Sequence, residues 1–114
     1  MILTDCINLT ENNAVMQKWV PNNSFSTSEN HAIAVKGLNP NGNVITMFVY
    51  IFKENGQMVY GPFERKVSIN TEEFTLFIGS WNTRASSSMT IEVYAVDSNG
   101  NKSNTISSPP FEVK

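Results

Sequence analysis

The stretch Asn43–Gly61, NVITMFVYIFKENGQMVYG, decides what kind of fold this chain can adopt. It is apolar at nearly every position through Phe52, turns at Asn55-Gly56, and runs apolar again. Successive side chains of a strand point to opposite faces, so a half-buried strand should alternate apolar and polar residues. Here one face carries Ile45, Met47, Val49 and Ile51, and the other Thr46, Phe48, Tyr50 and Phe52. β-Branched side chains interdigitate well between two sheets, which assigns the aliphatic row to the core. Phe48, Tyr50 and Phe52 then point outward and need a cover.

Asn-Gly is the preferred centre of a two-residue type I′ hairpin, in which both residues take positive φ. The pair occurs at Asn41-Gly42, Asn55-Gly56 and Asn99-Gly100. The third turn sets Asp97 opposite Lys102, Val96 opposite Ser103, Tyr94 opposite Thr105 and Val93 opposite Ile106. Opposed residues share a face. Ile91, Val93, Ala95 and Ile106 are therefore predicted to be core. Thr90, Glu92, Tyr94 and Thr105 are predicted to lie outside, with an Asp97–Lys102 charge pair at the tip. The second turn sets Lys53 opposite Met58, Phe52 opposite Val59 and Ile51 opposite Tyr60.

Elsewhere short apolar runs alternate with turn signals about every 8 to 12 residues, the mark of a sandwich or barrel. Strands are predicted near Cys6–Leu9, His31–Lys36, Val44–Lys53, Gln57–Phe63, Lys66–Ile69, Glu73–Ile78, Met89–Asp97 and Ser103–Ser107, with an extended piece at Phe111–Val113. No segment keeps a 3.6-residue period for three turns; the best helix candidate, Asn12–Val20, is stopped by Pro21. The 114 residues read as one domain, an antiparallel β-sandwich of seven to nine strands, with residues 1–29 packing on it as an N-terminal strand and loop segment.

Hydrophobic content of 40% with 16% charged residues is ordinary for a globular domain, but the polar remainder is mostly Asn, Ser and Thr, which favour turns and strands over helix interiors. A net charge of −2, with eight Lys and Arg spread thinly, argues against nucleic acid as a partner. No apolar run reaches the eighteen or so residues of a membrane-spanning helix. Cys6 is the single cysteine, so no internal disulfide can form and no thiol-based zinc site is expected. The run LTDC fails as a lipoprotein cleavage site, because Asp5 stands where a small residue is needed and no apolar stretch precedes it; Met1–Asn13 reads as no signal peptide.

The chain resembles the immunoglobulin-like and fibronectin type III-like sandwiches of bacterial surface proteins, secreted enzymes and phage virions. The resemblance is sharpest at Met89–Asn104, MTIEVYAVDSNGNKSN, which looks like the F–G hairpin of such modules. ITMFVYIFKENGQMVYG looks like their C–C′ pair, HAIAVKGL like strand B, and EFTLFIGSW like strand E with its exit; the match runs from Asn30 to Val113. The inter-sheet cysteine pair of antibody domains is absent. Met89 stands where a tyrosine opens strand F, and Trp81 is available to do its packing. Such modules serve as spacers, as carbohydrate or protein binders, or as decorations on larger assemblies. The resemblance therefore implies an extracellular, cell-surface or virion location.

Candidate chemistry is thin. Asp97, Asn99 and Asn101 alternate as in calcium loops, but glycine stands fourth instead of sixth and Ser108 occupies the closing glutamate's place. His31, the only histidine, has no nucleophile motif beside it and reads as an exposed residue at the start of a strand. Glu72 and Glu73 are adjacent, so on a strand they point apart and cannot serve one glycosidic bond with Glu92. The sequons at Asn8, Asn22 and Asn101 are expected by chance in so Asn-rich a chain, and Pro109-Pro110 make a stiff exit. No catalytic residue, metal or cofactor is expected.

The outward aromatic row carries the functional expectation. Large apolar patches mark interaction sites, unless Met1–Pro21 or the tail Pro109–Lys114 folds over them. The expectation is a non-catalytic module that binds a protein partner, or a second copy, through Phe48, Tyr50, Phe52, Glu92, Tyr94 and Thr105. The alternative is a carbohydrate-binding accessory module that stacks a glycan on Trp19, Tyr50 and Tyr94.

Overall fold

The aliphatic row lies at the centre of the molecule: Ile45, Met47, Val49 and Ile51 are all fully buried. The computed structural model describes residues 1–39 and 44–114. In chain order it contains β1 (Ile2–Thr10), α1 (Glu11–Val15), β2 (Ser24–Phe25), β3 (His31–Leu38), β4 (Val44–Lys53), β5 (Met58–Ser68), β6 (Glu73–Trp81), β7 (Ser87–Asp97), β8 (Ile106–Ser107) and β9 (Phe111–Val113). A small sheet has the order β1–β3–β6, and a larger one β2–β9–β7–β4–β5, with β8 also on β7. Every pairing is antiparallel except β2 with β9. The fold is an antiparallel β-sandwich compatible with immunoglobulin-like architecture. The Asn41-Gly42 turn lies outside the described residues.

Alternation builds the core from both inner faces. Leu3, Cys6, Ile33, Val35, Phe74 and Ile78 of the small sheet meet the β4 row and Met89, Ile91, Val93 and Ala95 of β7. Burial pushes the Cys6 thiol up to about 12, with Asp5 adding to the shift, which leaves it an inert core group. Trp81 is buried, with Phe111 6.0 Å away edge-on, so it plugs the core as the resemblance implied.

The N-terminal segment covers the small sheet's outer face. Ile7, Leu9, Ala32 and Ala34 are buried there beneath Ala14, Trp19 and Phe77. Thr10 caps α1, its hydroxyl accepting the Asn13 N–H at 3.3 Å, and Glu11 complements the positive end of the helix. The helix ends well before Pro21, at Met16 followed by Gln17 with φ 53°, so it is shorter than the Asn12–Val20 pattern suggested.

Both described Asn-Gly turns correct the expected type. Only the glycine has positive φ, 86° at Gly56 and 84° at Gly100. Their N–H groups donate to the carbonyls of Lys53 (2.9 Å) and Asp97 (3.0 Å), so each loop is a type I turn followed by a left-handed glycine bulge. Side chains select this form: Asn55 Oδ1 accepts the Gln57 N–H, and Asp97 Oδ1 accepts those of Asn99 and Asn101. The extra loop residue shifts both tips. Val96 opposes Lys102 instead of Ser103, Phe52 opposes Met58 instead of Val59, and Asp97 and Lys102 form no ion pair. Deeper in the sheet the predicted partners return, Val93 with Ile106 and Ile51 with Tyr60.

Two other strand readings change. The strand expected over Ser103–Ser107 shrinks to Ile106–Ser107, because Ser103 and Ser108 turn inward and their hydroxyls accept the N–H groups of Ala95 (2.8 Å) and Ile91 (3.0 Å). The two strands expected over Gln57–Phe63 and Lys66–Ile69 are one, β5, which passes Gly61 with φ 117°. A Cβ there would sit 2.7 Å from the Val49 carbonyl oxygen, so only glycine lets β5 approach β4 this closely.

If the aliphatic row is the core, Ile51→Ala should lose about 2–5 kcal/mol of unfolding free energy. Phe48→Ala, on the half-exposed row, should lose well under half of that. Urea denaturation of the two variants measures both, and the opposite ranking would reverse the two faces.

Candidate binding face

The outer face of the larger sheet is built by the same alternation. Phe48, Tyr50 and Phe52 project from β4, all half-buried, and Tyr94, Glu92 and Thr90 project from β7 beside them. Register places Phe48 opposite Tyr94, Tyr50 opposite Glu92 and Phe52 opposite Thr90. Glu64 and Lys66 of β5 share this face, opposite Phe48 and Thr46.

The rings order one another. Phe48 and Tyr94 stack with centroids 5.0 Å apart and planes 15° from parallel. Tyr50 lies 6.2 Å from both Phe52 and Tyr94, with planes at 13° and 20°. The Lys102 ammonium sits 4.2 Å from the Tyr94 ring centre. Phe48 and Lys102 come from opposite sides of β7, so Tyr94 has a neighbour on each ring face. This contact follows from the shifted turn register, which frees Lys102 from Asp97, and no spacing in the sequence announced it.

A hollow of about 230 Å³ opens between Tyr50, Phe52, Glu92, Tyr94, Lys102 and Thr105. Its walls are aromatic, and its margin offers a carboxylate, an ammonium and a hydroxyl. The neighbouring Tyr94 hydroxyl holds the Tyr50 phenol above its ordinary value, with desolvation adding to the effect. All six residues expected at the contact face therefore share one face, and five of them line the hollow.

Neither terminus covers this face. β1 and α1 belong to the small sheet and its outer side, and β9 runs in the plane of the larger sheet beside the first residues of β7. The proposed sugar-stacking set is divided. Trp19 packs edge-on against Phe77 at 6.5 Å with Lys36 4.2 Å above its ring, on the opposite side of the molecule from Tyr50 and Tyr94. The three cannot form one platform.

The remaining candidates separate as well. His31 is fully buried, which corrects its reading as an exposed residue. The Asp97 carboxylate is engaged by its own turn, chiefly by the Asn101 backbone N–H, which holds its pKa below the usual carboxylate range. Among the described residues no three His, Cys, Asp or Glu side chains gather as a metal site. No helix in them is long and apolar enough to cross a membrane. No family model matches the chain, and no curated protein matches it in sequence.

Replacing Tyr94 with Phe removes the hydroxyl that raises the Tyr50 phenol. Spectrophotometric titration near 295 nm should then show Tyr50 ionising at lower pH than in the parent. An unchanged titration would mean that the Tyr94 hydroxyl does not set the Tyr50 ionisation.

Proposed function

We propose that the protein is a non-catalytic interaction module of immunoglobulin-like type, serving a bacterial cell-surface or phage virion assembly outside the cell. The outer face of β4 and β7 meets a protein partner. The observation that carries this reading is the ordered aromatic row, which points away from the core and is covered by no segment of the described chain. Aromatic side chains bury roughly 150–250 Å² each, so four half-exposed rings leave a few hundred Å² of apolar surface. Aromatic anchors inside a polar margin are the usual composition of an interface centre. Glu92, Lys102 and Thr105 would supply that margin.

A glycan is a poorer fit. Stacking a sugar needs a free ring face. Tyr94 is flanked on both faces, and Trp19 lies across the molecule.

A photoactivatable benzophenone side chain at position 50 should give a discrete protein adduct in the native host. The same group at position 75, on the small sheet, should not, and Phe48→Ser should abolish the adduct. Oligosaccharides that perturb tyrosine fluorescence in a strict monomer, with no protein adduct, would assign the face to a glycan instead.

A further inference from the structure

His31 is completely buried, yet its ring keeps a single polar contact. Phe25 and Trp81 lie on it with ring centroids 4.0 and 4.1 Å away, and Phe111 is 6.2 Å off. The side chain of buried Asn8 meets Nδ1 at 2.9 Å. Nε2 finds no hydrogen-bond partner among the described residues, nor do Asn8 Oδ1 and Trp81 Nε1. A neutral imidazole suits this setting: the Asn8 amide N–H donates to Nδ1, which leaves the ring proton on Nε2. A second proton would set two donors head to head at Nδ1. Even if the Asn8 amide turned over to offer its oxygen, the charged ring would be fully buried, with no carboxylate among the described residues in ion-pair contact.

The elements packed on the ring contribute Asn8 from β1, Phe25 from β2, Trp81 from β6 and Phe111 from β9, none of which titrates near neutrality. The charged group facing it is Glu29, in the turn before β3. Burial lowers the His31 imidazole to about 4, against a smaller upward pull from Glu29.

What rests on the ring is a short clasp. β2 has two residues and joins the sheet only through β9, Ser24 opposite Glu112 and Phe25 opposite Val113. Besides that pairing, backbone bonds at its two ends hold it, each 2.9 Å: Glu112 N–H to Asn23, Lys114 N–H to Phe25 and Thr27 N–H to Lys114. Its one buried side chain is Phe25, whose ring lies 22° from parallel with His31. We infer that Ser24–Phe25 is an acid-released clasp: protonation of His31 displaces Phe25 and frees the edge of β9 while the rest of the sandwich stays folded. The freed edge presents the unpaired backbone groups of Phe111–Val113, the kind of template on which an added strand can pair.

The sign follows from linkage. The opened state takes up a proton near the ordinary histidine value of about 6.5, whereas the closed state resists until about 4. The clasp is therefore most stable above pH 6.5. Its open population should rise up to tenfold per pH unit below that, about 150-fold by pH 4.

Hydrogen exchange of the full chain, expressed as protection factors from pH 8 to 4, tests this. The amides of Thr27, Glu112 and Lys114 should lose protection over that window while those of β4 and β7 keep theirs. His31→Gln should remove the pH dependence. Should that variant fail to fold, Glu29→Gln, which leaves the core intact but removes the charge that eases protonation of the closed state, should leave the onset of the loss in place and deepen it toward pH 4. Unchanged protection at the clasp, its loss together with β4 and β7, or a shallower acid loss in Glu29→Gln would each overturn the inference.

Discussion

Burial of four aliphatic side chains from β4 sets the arrangement on which the other features depend. β4 is paired on both sides, with β5 and β7, so its position in the larger sheet is fixed by backbone bonds along its whole length. Side chains alternate with period two, so slipping this strand by one residue would drive Phe48, Tyr50 and Phe52 inward and Ile45, Met47, Val49 and Ile51 into water. The inner faces are close-packed, and Met47 and Val49 already meet Ala95 and Val93 across the pair with β7. Three large rings would not fit where these smaller groups interlock. Burying the aliphatic row and exposing the aromatic row are thus one choice.

The two outer faces answer that choice differently. On the small sheet, Ile7, Leu9, Ala32 and Ala34 are small or medium in size, and the chain covers them itself with Ala14 of α1 and Trp19 of the segment that follows it. On the larger sheet the exposed side chains are bigger, and they shield one another by stacking. Stacking hides part of each ring and also restricts its rotamers before any partner arrives. Side-chain ordering is a cost of association, so a row already ordered in the free molecule lowers that cost for whatever binds.

Strand position and face were legible in the sequence wherever alternation was strong. β4 occupies the predicted Val44–Lys53, and the core positions of β7 are those its alternation implied. Turn chemistry was less legible. An Asn-Gly pair suits a type I′ turn, but it equally suits a type I turn with a glycine bulge, and the deciding atoms are side-chain oxygens of Asp97 and Asn55 that bond within the loop. His31 was misjudged because a polar residue opening a strand resembles a surface residue. What buries it is distant in sequence: Phe25, Trp81 and Phe111 converge from three strands, and only pairing with β1 brings Asn8 to Nδ1. The division of the tryptophans had the same cause, since nothing local to Trp19 says which sheet the N-terminal segment will cover.

The sheet edges add an argument about how contact can occur. Along β1, the Asn104 side chain accepts the Leu3 N–H at 2.8 Å and donates to the Leu3 carbonyl at 2.9 Å, and Asn22 bonds the Asn8 carbonyl, so foreign strands find these groups taken. The edge strand β5 carries Pro62, which has no N–H to offer, and the charged run Glu64-Arg65-Lys66, both common guards against edge pairing. With those two edges guarded, the face where Tyr50 and Tyr94 stand offers a partner side chains to read in place of backbone. β9 differs, because its guard is a two-residue strand resting on a titratable ring. Acid would then add a backbone-pairing mode at one edge without altering the aromatic face, since β4 and β7 hold no part of the His31 cluster.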